Sequence, residues 1–298
     1  MAYTTENIRN VALAGHAGAG KTTLFEALLH AGGAIQTAGT IERGGTVSDF
    51  DPQEKERKHS IHTAIASVDS GDSHINLVDT AGYADFRGQT LSALGAVETV
   101  AVVVNASAGI EHGTRRLMHY ARERKLARVL LVNRIDVEDI DLATLVEELR
   151  DEFGHECLPV NLPADSGAKV VDCFFAPQGT SDLGDVAEAH QRIIDQVVEI
   201  NERVMDRFLE DGESALSKEE LHDAFEECLR EGHLVPICFV SARTGAGVGE
   251  FLEIARRLLP SPAEGNPPPF VKGTGENAQP IEAKPDPKAH VIADVFKI

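Results

Sequence analysis

Eight consecutive residues near the start of the chain, 15–22, have the types and spacing of a phosphate-binding loop, G-x-x-x-x-G-K-T. An apolar run precedes them and a helical pattern follows, a context that disfavours an ordinary glycine-rich turn. Glycines let the backbone wrap around phosphate oxygens, and N–H groups at the helix start point toward the anion. Lys21 is expected to reach the outer phosphates, and the Thr22 hydroxyl to bind Mg²⁺. The predicted nucleotide contacts are Gly15, His16, Ala17, Gly18, Ala19, Gly20, Lys21, Thr22 and Thr23.

A second candidate is the D-x-x-G sequence at residues 79–82, which follows an apolar run. A carboxylate at the end of a strand can hold Mg²⁺ through water, and the Gly82 N–H can sense a terminal phosphate. The same pattern also occurs in ordinary turns, so both interpretations stay open for this motif by itself.

Two further motifs indicate which base is bound. Asn133-Arg134-Ile135-Asp136 has the form N-K-x-D with Arg in second place. A carboxylate there can accept the ring N–H and the amino group of guanine together, a donor pair that adenine lacks; a capped turn is the alternative. Ser241-Ala242-Arg243 follows another apolar run, and a backbone N–H there could meet the guanine carbonyl. The four motifs together predict a guanine-nucleotide domain, with contacts from Asp79, Gly82, Asn133, Arg134, Asp136, Ser241 and Ala242.

The segments that must position these motifs alternate between strand and helix. Strands are predicted at residues 11–14, 61–68, 75–79, 100–104, 129–133 and 235–240, and helices at 21–30, 86–97, 114–124, 142–152 and 248–259. Several strands are apolar on both faces, which is typical of a mainly parallel sheet covered by helices on both sides. A turn signal at residues 69–72 predicts one antiparallel hairpin. The sequence therefore predicts an α/β P-loop fold with its motifs in one cleft at the carboxyl ends of the strands.

Composition narrows the class of protein. The 298 residues are enough for one large or two modest domains. The net charge of −20 argues against phosphate-driven binding of free DNA, although adaptation to high salt would produce the same acidity. Four cysteines without C-x-x-C spacing predict buried thiols. No apolar run reaches the ~18 residues of a membrane span, so we expect a cytoplasmic protein with no membrane partner. We also expect a monomer.

The chain between Asp136 and Ser241 is too long for one helix and a loop. A strand is predicted at residues 170–176, an amphipathic helix at 186–209, and a second helix from a capping box at Ser217 to Gly232. We predict a GTP-binding domain at residues 1–152 and 233–260 and an inserted α+β subdomain at 153–232. After residue 260 the chain is rich in proline, and residues 290–298 alternate as a strand does.

These motifs resemble those of the elongation factor G family of translational GTPases, most closely its divergent elongation-factor-G-like branch. The matching stretches are GHAGAGKTTL (15–24), EKERKHSI (54–61), DTAGYADF (79–86), NRID (133–136) and SARTGAG (241–247). The resemblance runs from about residue 8 to residue 298. It implies a Mg²⁺-dependent enzyme that hydrolyses GTP to GDP and phosphate and works on the ribosome. It also implies that residues 261–298 are a linker and the first strand of a β-barrel domain that is cut short here.

Some positions depart from the family pattern. Residues 39–60 would be switch I, a mobile loop, in which Ser60 keeps a hydroxyl for Mg²⁺. The alternative interpretation of this segment is a run of charged residues that is simply exposed to solvent. Tyr83 stands where the family has a histidine that positions the attacking water, and tyrosine cannot carry positive charge. Gly18 replaces an aspartate that can bind a monovalent cation. We expect slow hydrolysis, with Lys21 and Tyr83 as catalytic candidates and Thr22, Ser60 and Asp79 on the metal.

Two other functions are compatible with parts of the pattern. A nucleotide-gated binding module with little turnover would account for the missing histidine. A P-loop ATPase would account for the phosphate loop, but the spacing of Asn133 and Asp136 argues against it.

Overall fold

The computed structural model describes residues 3–200, 202–212, 216–266, 270–281, 288 and 295–297. The strands in this part of the chain are β1 (Ile8–Gly15), β2 (Ala64–Ser70), β3 (Ser73–Asp79), β4 (Thr99–Asn105), β5 (Ala127–Asn133), β6 (Cys157–Pro159), β7 (Asn161–Ala164), β8 (Lys169–Asp172), β9 (Val235–Val240), β10 (Phe270–Lys272) and β11 (Gln279–Ile281). Seven of them form a sheet in the order β2-β3-β1-β4-β5-β9-β6, and only the β2–β3 pair in it is antiparallel. The predicted mainly parallel α/β fold and the hairpin are confirmed.

The helices of the described chain are α1 (Lys21–Ala31), α2 (Pro52–Arg57), α3 (Arg87–Leu94), α4 (His112–Glu123), α5 (Leu142–Phe153), α6 (Val186–Ile200), α7 (Glu202–Asp211), α8 (Lys218–Glu231) and α9 (Val248–Leu258). Nearly every residue of β4, β5 and β9 is buried. Since successive side chains of a strand point to opposite faces, the centre of the sheet must be covered on both sides. Helices α1 and α9 pack on each other and on the β2–β3 end, and α4 packs on β1, β4 and β5.

The strand register brings the motifs of the sequence to one edge of the sheet. Leu13 of β1 lies beside Asp79 of β3, and Asn133 of β5 lies beside Val240 of β9. Because these strands are parallel, the segments that follow them emerge at the same edge, where open α/β sheets bind ligands.

Residues 153–232 contain both sheet and helix. Strand β6 is the edge strand of the main sheet, β7 and β8 form a separate antiparallel pair, and α6 packs against α8. Ser217 and Glu220 form the predicted capping box of α8, and Gly232 ends the helix in the left-handed conformation. Buried apolar side chains of α6 and α8 belong to the same hydrophobic cluster as those of the main sheet.

Several predicted elements have other bounds in the structure; the helix predicted at residues 86–97, for example, ends at Leu94. The strand predicted at residues 170–176 ends at Asp172, because the Asp172 carboxylate accepts hydrogen bonds from the N–H groups of the next residues and turns the chain. The helix predicted at residues 186–209 is two helices, α6 and α7, on either side of residue 201, which lies outside the described residues. The predicted strand 61–68 starts only at Ala64.

The predicted strand at residues 290–298 lies mostly outside the described residues, and the described part, residues 295–297, is not in a strand. The preceding segment holds a short antiparallel pair, β10 and β11, that the sequence did not predict.

Candidate functional site

The phosphate loop joins β1 to α1 and has a backbone that requires glycine. Gly20 caps α1 in the left-handed conformation, with φ of 92°. A Cβ atom on Gly20 would lie 2.5 Å from the Asn133 side-chain nitrogen, and one on Gly15 would lie 2.5 Å from the Val103 carbonyl oxygen. The loop therefore passes so close to β4 and β5 that no side chain fits at these two positions.

Lys21 lies inside the loop, with only 6% of its surface exposed. Its ammonium group donates hydrogen bonds of 3.0 Å to the carbonyl oxygens of Gly15 and His16. Burial lowers the pKa of Lys21 to about 8, and the nearby carboxylates of Asp79 and Glu111 partly oppose that shift. A phosphate in the loop would supply the negative charge that this buried cation lacks.

Gly82 packs directly against this lysine. A Cβ atom on Gly82 would lie 2.4 Å from Lys21 Nζ and 2.9 Å from the backbone nitrogen of Ala17. The glycine of the D-x-x-G motif thus lies directly against the predicted phosphate loop.

Hydroxyl and carboxylate oxygens meet at the start of α1. Thr22 Oγ1 donates to Asp79 Oδ2 at 2.7 Å and lies 3.0 Å from Ser60 Oγ, which in turn donates to Asp49 Oδ1 at 2.7 Å. The predicted metal contacts Thr22, Ser60 and Asp79 are therefore adjacent. Asp49 was not predicted, because it lies outside the motifs.

Asp79 is buried, and burial raises its pKa to about 6 despite the Thr22 hydrogen bond and the Lys21 charge. The Ser48 hydroxyl weakly favours the ionised carboxylate. In the described chain, however, neither Ser48 Oγ nor Asp79 Oδ1 makes a hydrogen bond of good geometry. An unpaired buried carboxylate oxygen beside hydroxyl oxygens fits Mg²⁺, which prefers oxygen ligands.

The region expected to be a mobile loop contains helix α2, so that expectation is corrected for residues 52–57. The sequence held the signal: Asp51 and Glu54 form a capping box, with Pro52 in the first turn. Glu54 is wholly buried and also accepts the N–H groups of Ile61 and His62, next to Ser60. A second buried carboxylate, Glu26 of α1, accepts the N–H groups of Gly39 and Val47. Glu26 therefore connects residues 39–47 to α1, and Glu54 holds α2 against residues 61–62.

Asn133 connects the base end of the site to the phosphate loop. Its side-chain nitrogen donates to the Ala19 carbonyl at 3.0 Å, and its side-chain oxygen accepts the N–H groups of Arg134 and Ala242 at 2.9 and 3.0 Å. Arg134 also donates to the Gly18 carbonyl at 2.9 Å. The three predicted segments are therefore held together by one buried amide.

Asp136 lies beside Ser241 and Arg243. Ser241 Oγ donates to Asp136 Oδ1 at 2.5 Å, and Arg243 Nε donates to Oδ2 at 2.8 Å. Burial raises the pKa of Asp136, but the hydrogen bonds from Ser241 and Arg243 outweigh burial and hold it below its usual value. The carboxylate is ionised at neutral pH, as recognition of guanine requires.

A cavity of about 500 Å³ opens between the phosphate loop and Asp136, and Gly20, Thr23, Asn133 and Arg243 are among its lining residues. A second cavity, of about 260 Å³, lies on the other side of the loop beside Gly82 and Tyr83. The first has the place expected for base and ribose.

Tyr83 follows Gly82 and is 46% exposed. Its ring contacts the ring of His59 from switch I, with centroids 4.6 Å apart. Sequence reasoning did not identify His59 as a neighbour of Tyr83, because the two residues lie far apart in the chain and belong to different motifs.

The cysteines Cys157, Cys173, Cys228 and Cys238 are buried free thiols, as predicted. Burial raises the pKa of Cys157 to about 12. Among the described residues, no helix has the length and apolar character to cross a membrane.

The fold and the site define the chain as a P-loop guanine-nucleotide-binding domain. It belongs to the family of the elongation factor Tu GTP binding domain, whose model matches residues 6–261.

Relatives named as translation factors resemble it over most of its length. An elongation factor G-like protein of Mycobacterium tuberculosis is 31% identical over 97% of this chain and 42% of the relative. The mitochondrial ribosome-releasing factor 2 of Culex quinquefasciatus is 30% identical over 88% of this chain and 38% of the relative. A crystal structure of a Thermus thermophilus protein matches with a TM-score of 0.79 and 33% identity, over 87% of this chain and 41% of that one. The chain thus spans about two fifths of the length of these relatives.

Proposed function

We propose that this chain binds GTP and GDP with one Mg²⁺ and hydrolyses GTP to GDP and phosphate. The observation that carries the proposal is the link through Asn133. It joins the phosphate loop at Ala19, the Asp136 segment and the Ala242 backbone at one edge of the sheet. These hydrogen bonds hold the phosphate loop next to the segment whose Asp136 carboxylate would accept two donors of the base.

The roles that we assign to the phosphate end follow from the contacts there. The loop amides and Lys21 would hold the outer phosphates, and Thr22, Ser60 and Asp79 would hold the metal. Bound Mg²⁺ would neutralise charge on the phosphate oxygens during transfer. Lys21 would exchange its two carbonyl partners for phosphate oxygens and would stabilise the charge that develops there.

At the base end, Asp136 would accept the ring N–H and amino group of guanine, and the Ala242 segment would face the guanine carbonyl. The Tyr83 hydroxyl would orient the attacking water. Because it supplies no positive charge, we expect slow turnover by the isolated chain.

We further propose that this protein acts on the ribosome as a cytoplasmic monomer, with residues 153–232 as an inserted subdomain. The names of the related factors support a role in translation.

Calorimetric titration of the nucleotide-free chain with GDP, GTP and ATP in Mg²⁺ tests the binding. Adenine cannot satisfy the buried Asp136 carboxylate, and a lost charged pair of this kind costs roughly 2–5 kcal/mol. We expect strong preference for guanine nucleotides. Equal affinities for ATP and GTP would refute the proposal.

The second candidate is a nucleotide-gated binding module, which is favoured by the replacement of histidine by Tyr83. Single-turnover GTP cleavage, with and without ribosomes, separates the two functions. Tight binding without phosphate release in either condition would support the binding module.

A further inference from the structure

The carboxylate that should read the base already has its acceptor positions largely filled in the structure. Arg243 donates from both Nε and Nη2 to Asp136 Oδ2, and Ser241 donates to Oδ1. A carboxylate offers about two acceptor positions on each oxygen. Oδ2 is therefore filled, whereas Oδ1 keeps one free position.

Guanine needs one free acceptor position on each carboxylate oxygen of Asp136, because its ring N–H and its amino group are adjacent parallel donors. The base and Arg243 thus compete for Oδ2. Ser241 does not compete, since it leaves the second position of Oδ1 open.

We propose that Arg243 is a competitive gate on guanine binding: it pairs with Asp136 when the base site is empty, and its guanidinium must leave Oδ2 when guanine binds. The inference rests on the proposed guanine specificity, and it names a residue that sets the affinity of that site.

The different exposure of the two side chains explains why Asp136 pairs with Arg243 and why Arg243 can leave. The Asp136 side chain is only 8% exposed, and the pairing arginine side chain is 75% exposed. Part of this cover comes from Arg243 itself, since Asp136 is a partly buried residue. A carboxylate in such a position is more stable with a hydrogen-bonding partner than without one. The exposed guanidinium, by contrast, is rehydrated when it swings away, so its release costs little.

The backbone beneath Arg243 stays in place during this exchange. The Ala242 N–H is bonded to Asn133, and the Thr244 and Gly245 N–H groups are bonded to Ser241. Only the side chain needs to move. Arg134, the other arginine at the rim of the cavity, donates to the Gly18 carbonyl and does not compete for the carboxylate.

The test measures GDP affinity and nucleotide-free stability for Arg243→Leu, which keeps an apolar stem and loses every donor. We expect GDP to bind about three- to tenfold more tightly, the change expected when an exposed charged competitor is lost. The thermal midpoint of the nucleotide-free protein should fall, so GDP should raise the midpoint by a larger amount than in the unchanged protein. Arg243→Lys, which keeps the charge but not the fork, should lie between the two.

Arg192→Leu is the matched control, because Arg192 makes an exposed ion pair with Glu188 in α6, outside the cavities at the nucleotide site. Arg192→Leu should change neither the GDP affinity nor the thermal midpoint of the nucleotide-free protein. In an Asp136→Asn background, Arg243→Leu should bring no gain.

GDP binding that is unchanged or weaker in Arg243→Leu would overturn the gate, as would a gain that persists without the carboxylate at residue 136. Failure of the proposed function looks different: the unchanged protein would then bind ATP and GTP equally well.

Discussion

The charged side chains at the two ends of the cleft are paired in different ways: Lys21 and Asp79 lie at the phosphate end, and Asp136 lies at the base end. At the phosphate end, Lys21 and Asp79 are buried, and their partners are backbone carbonyls and hydroxyls. Asp79 Oδ1 makes no hydrogen bond of good geometry in the described chain. At the base end, Asp136 is paired with a side chain that is largely exposed. The phosphate end is preorganised for a ligand, whereas the base end is satisfied without one.

This difference indicates where affinity and specificity arise. Buried charges that lack full compensation gain most from a ligand of opposite charge, so the phosphate end should dominate affinity. A paired carboxylate gains less from the correct base, but it penalises a base that offers no donors. The following experiments test that division.

Lys21→Ala should have the largest effect. Its loss removes the cation beside the phosphates, and we expect single-turnover GTP cleavage to fall on the order of a thousandfold or more, with weaker triphosphate binding. Phosphate release and circular dichroism would be measured together. Lys169→Ala, an exposed lysine paired with Asp165, is the control. Retained turnover with an unchanged spectrum would mean that the loop does not bind phosphate as we describe.

Asp136→Asn should change specificity more than overall affinity. Asn keeps one acceptor and gains a donor, so preference should shift toward xanthosine nucleotides, whose 2-position is an acceptor. GDP should lose roughly 2–5 kcal/mol of binding free energy. Competition between GDP and XDP measures the shift. If GDP remained preferred with its full affinity, base recognition would lie elsewhere in the cavity.

The pH dependence of stability should isolate Asp79. Its folded pKa of about 6 lies above the usual aspartate pKa of 3.8, so the folded chain holds this proton to a higher pH than the unfolded chain does. The contribution of Asp79 to stability therefore falls as pH rises through this interval. The Asn side chain of Asp79→Asn does not titrate. The free energy of unfolding of this variant, relative to that of the unsubstituted protein, should therefore increase by about 2–3 kcal/mol between pH 4 and pH 7.

Urea unfolding without nucleotide and in the presence of EDTA would measure this difference. A constant gap between the two proteins across the interval would show that burial does not penalise the Asp79 charge.

Tyr83→Phe should have the smallest effect. The variant keeps the ring and its contact with His59 but loses the hydroxyl, so nucleotide binding should be unchanged. Single-turnover cleavage should slow about ten- to a hundredfold, the value of one hydrogen bond made mainly in the transition state. Tyr3→Phe, which alters a ring stacked on His74, is the control. If Tyr83→Phe and the unsubstituted protein cleaved GTP at the same rate, both with and without ribosomes, Tyr83 would have no role in the mechanism.

The parts of the site that came from consecutive residues could be predicted from the sequence. The phosphate loop, the D-x-x-G motif and the Asn133 segment are local patterns in which glycine, lysine or aspartate has a fixed role. Their positions at strand ends followed from the alternation of strands and helices. The cap of α8 was predicted for the same reason, since Ser217 and Glu220 interact within one turn.

The features that the sequence did not predict are of two kinds. Some are contacts between side chains that lie far apart in the chain, and one is a local signal surrounded by charged residues. The box of Asp51 and Glu54 was present in the sequence, but the charged residues around it were interpreted as a loop. The Asp49–Ser60 contact and the Tyr83–His59 contact needed a folded switch I. Residue spacing carries no information on such contacts.

The sequence by itself determined which functional groups the cleft offers to phosphate, metal and guanine, because backbone freedom and functional groups are properties of single residues. Only the tertiary structure decided which of those groups contact one another. The competition between Arg243 and guanine for Asp136 exists because β5 and β9 are neighbours in the sheet. Hydrogen bonds between segments form only after the strands that carry them are paired.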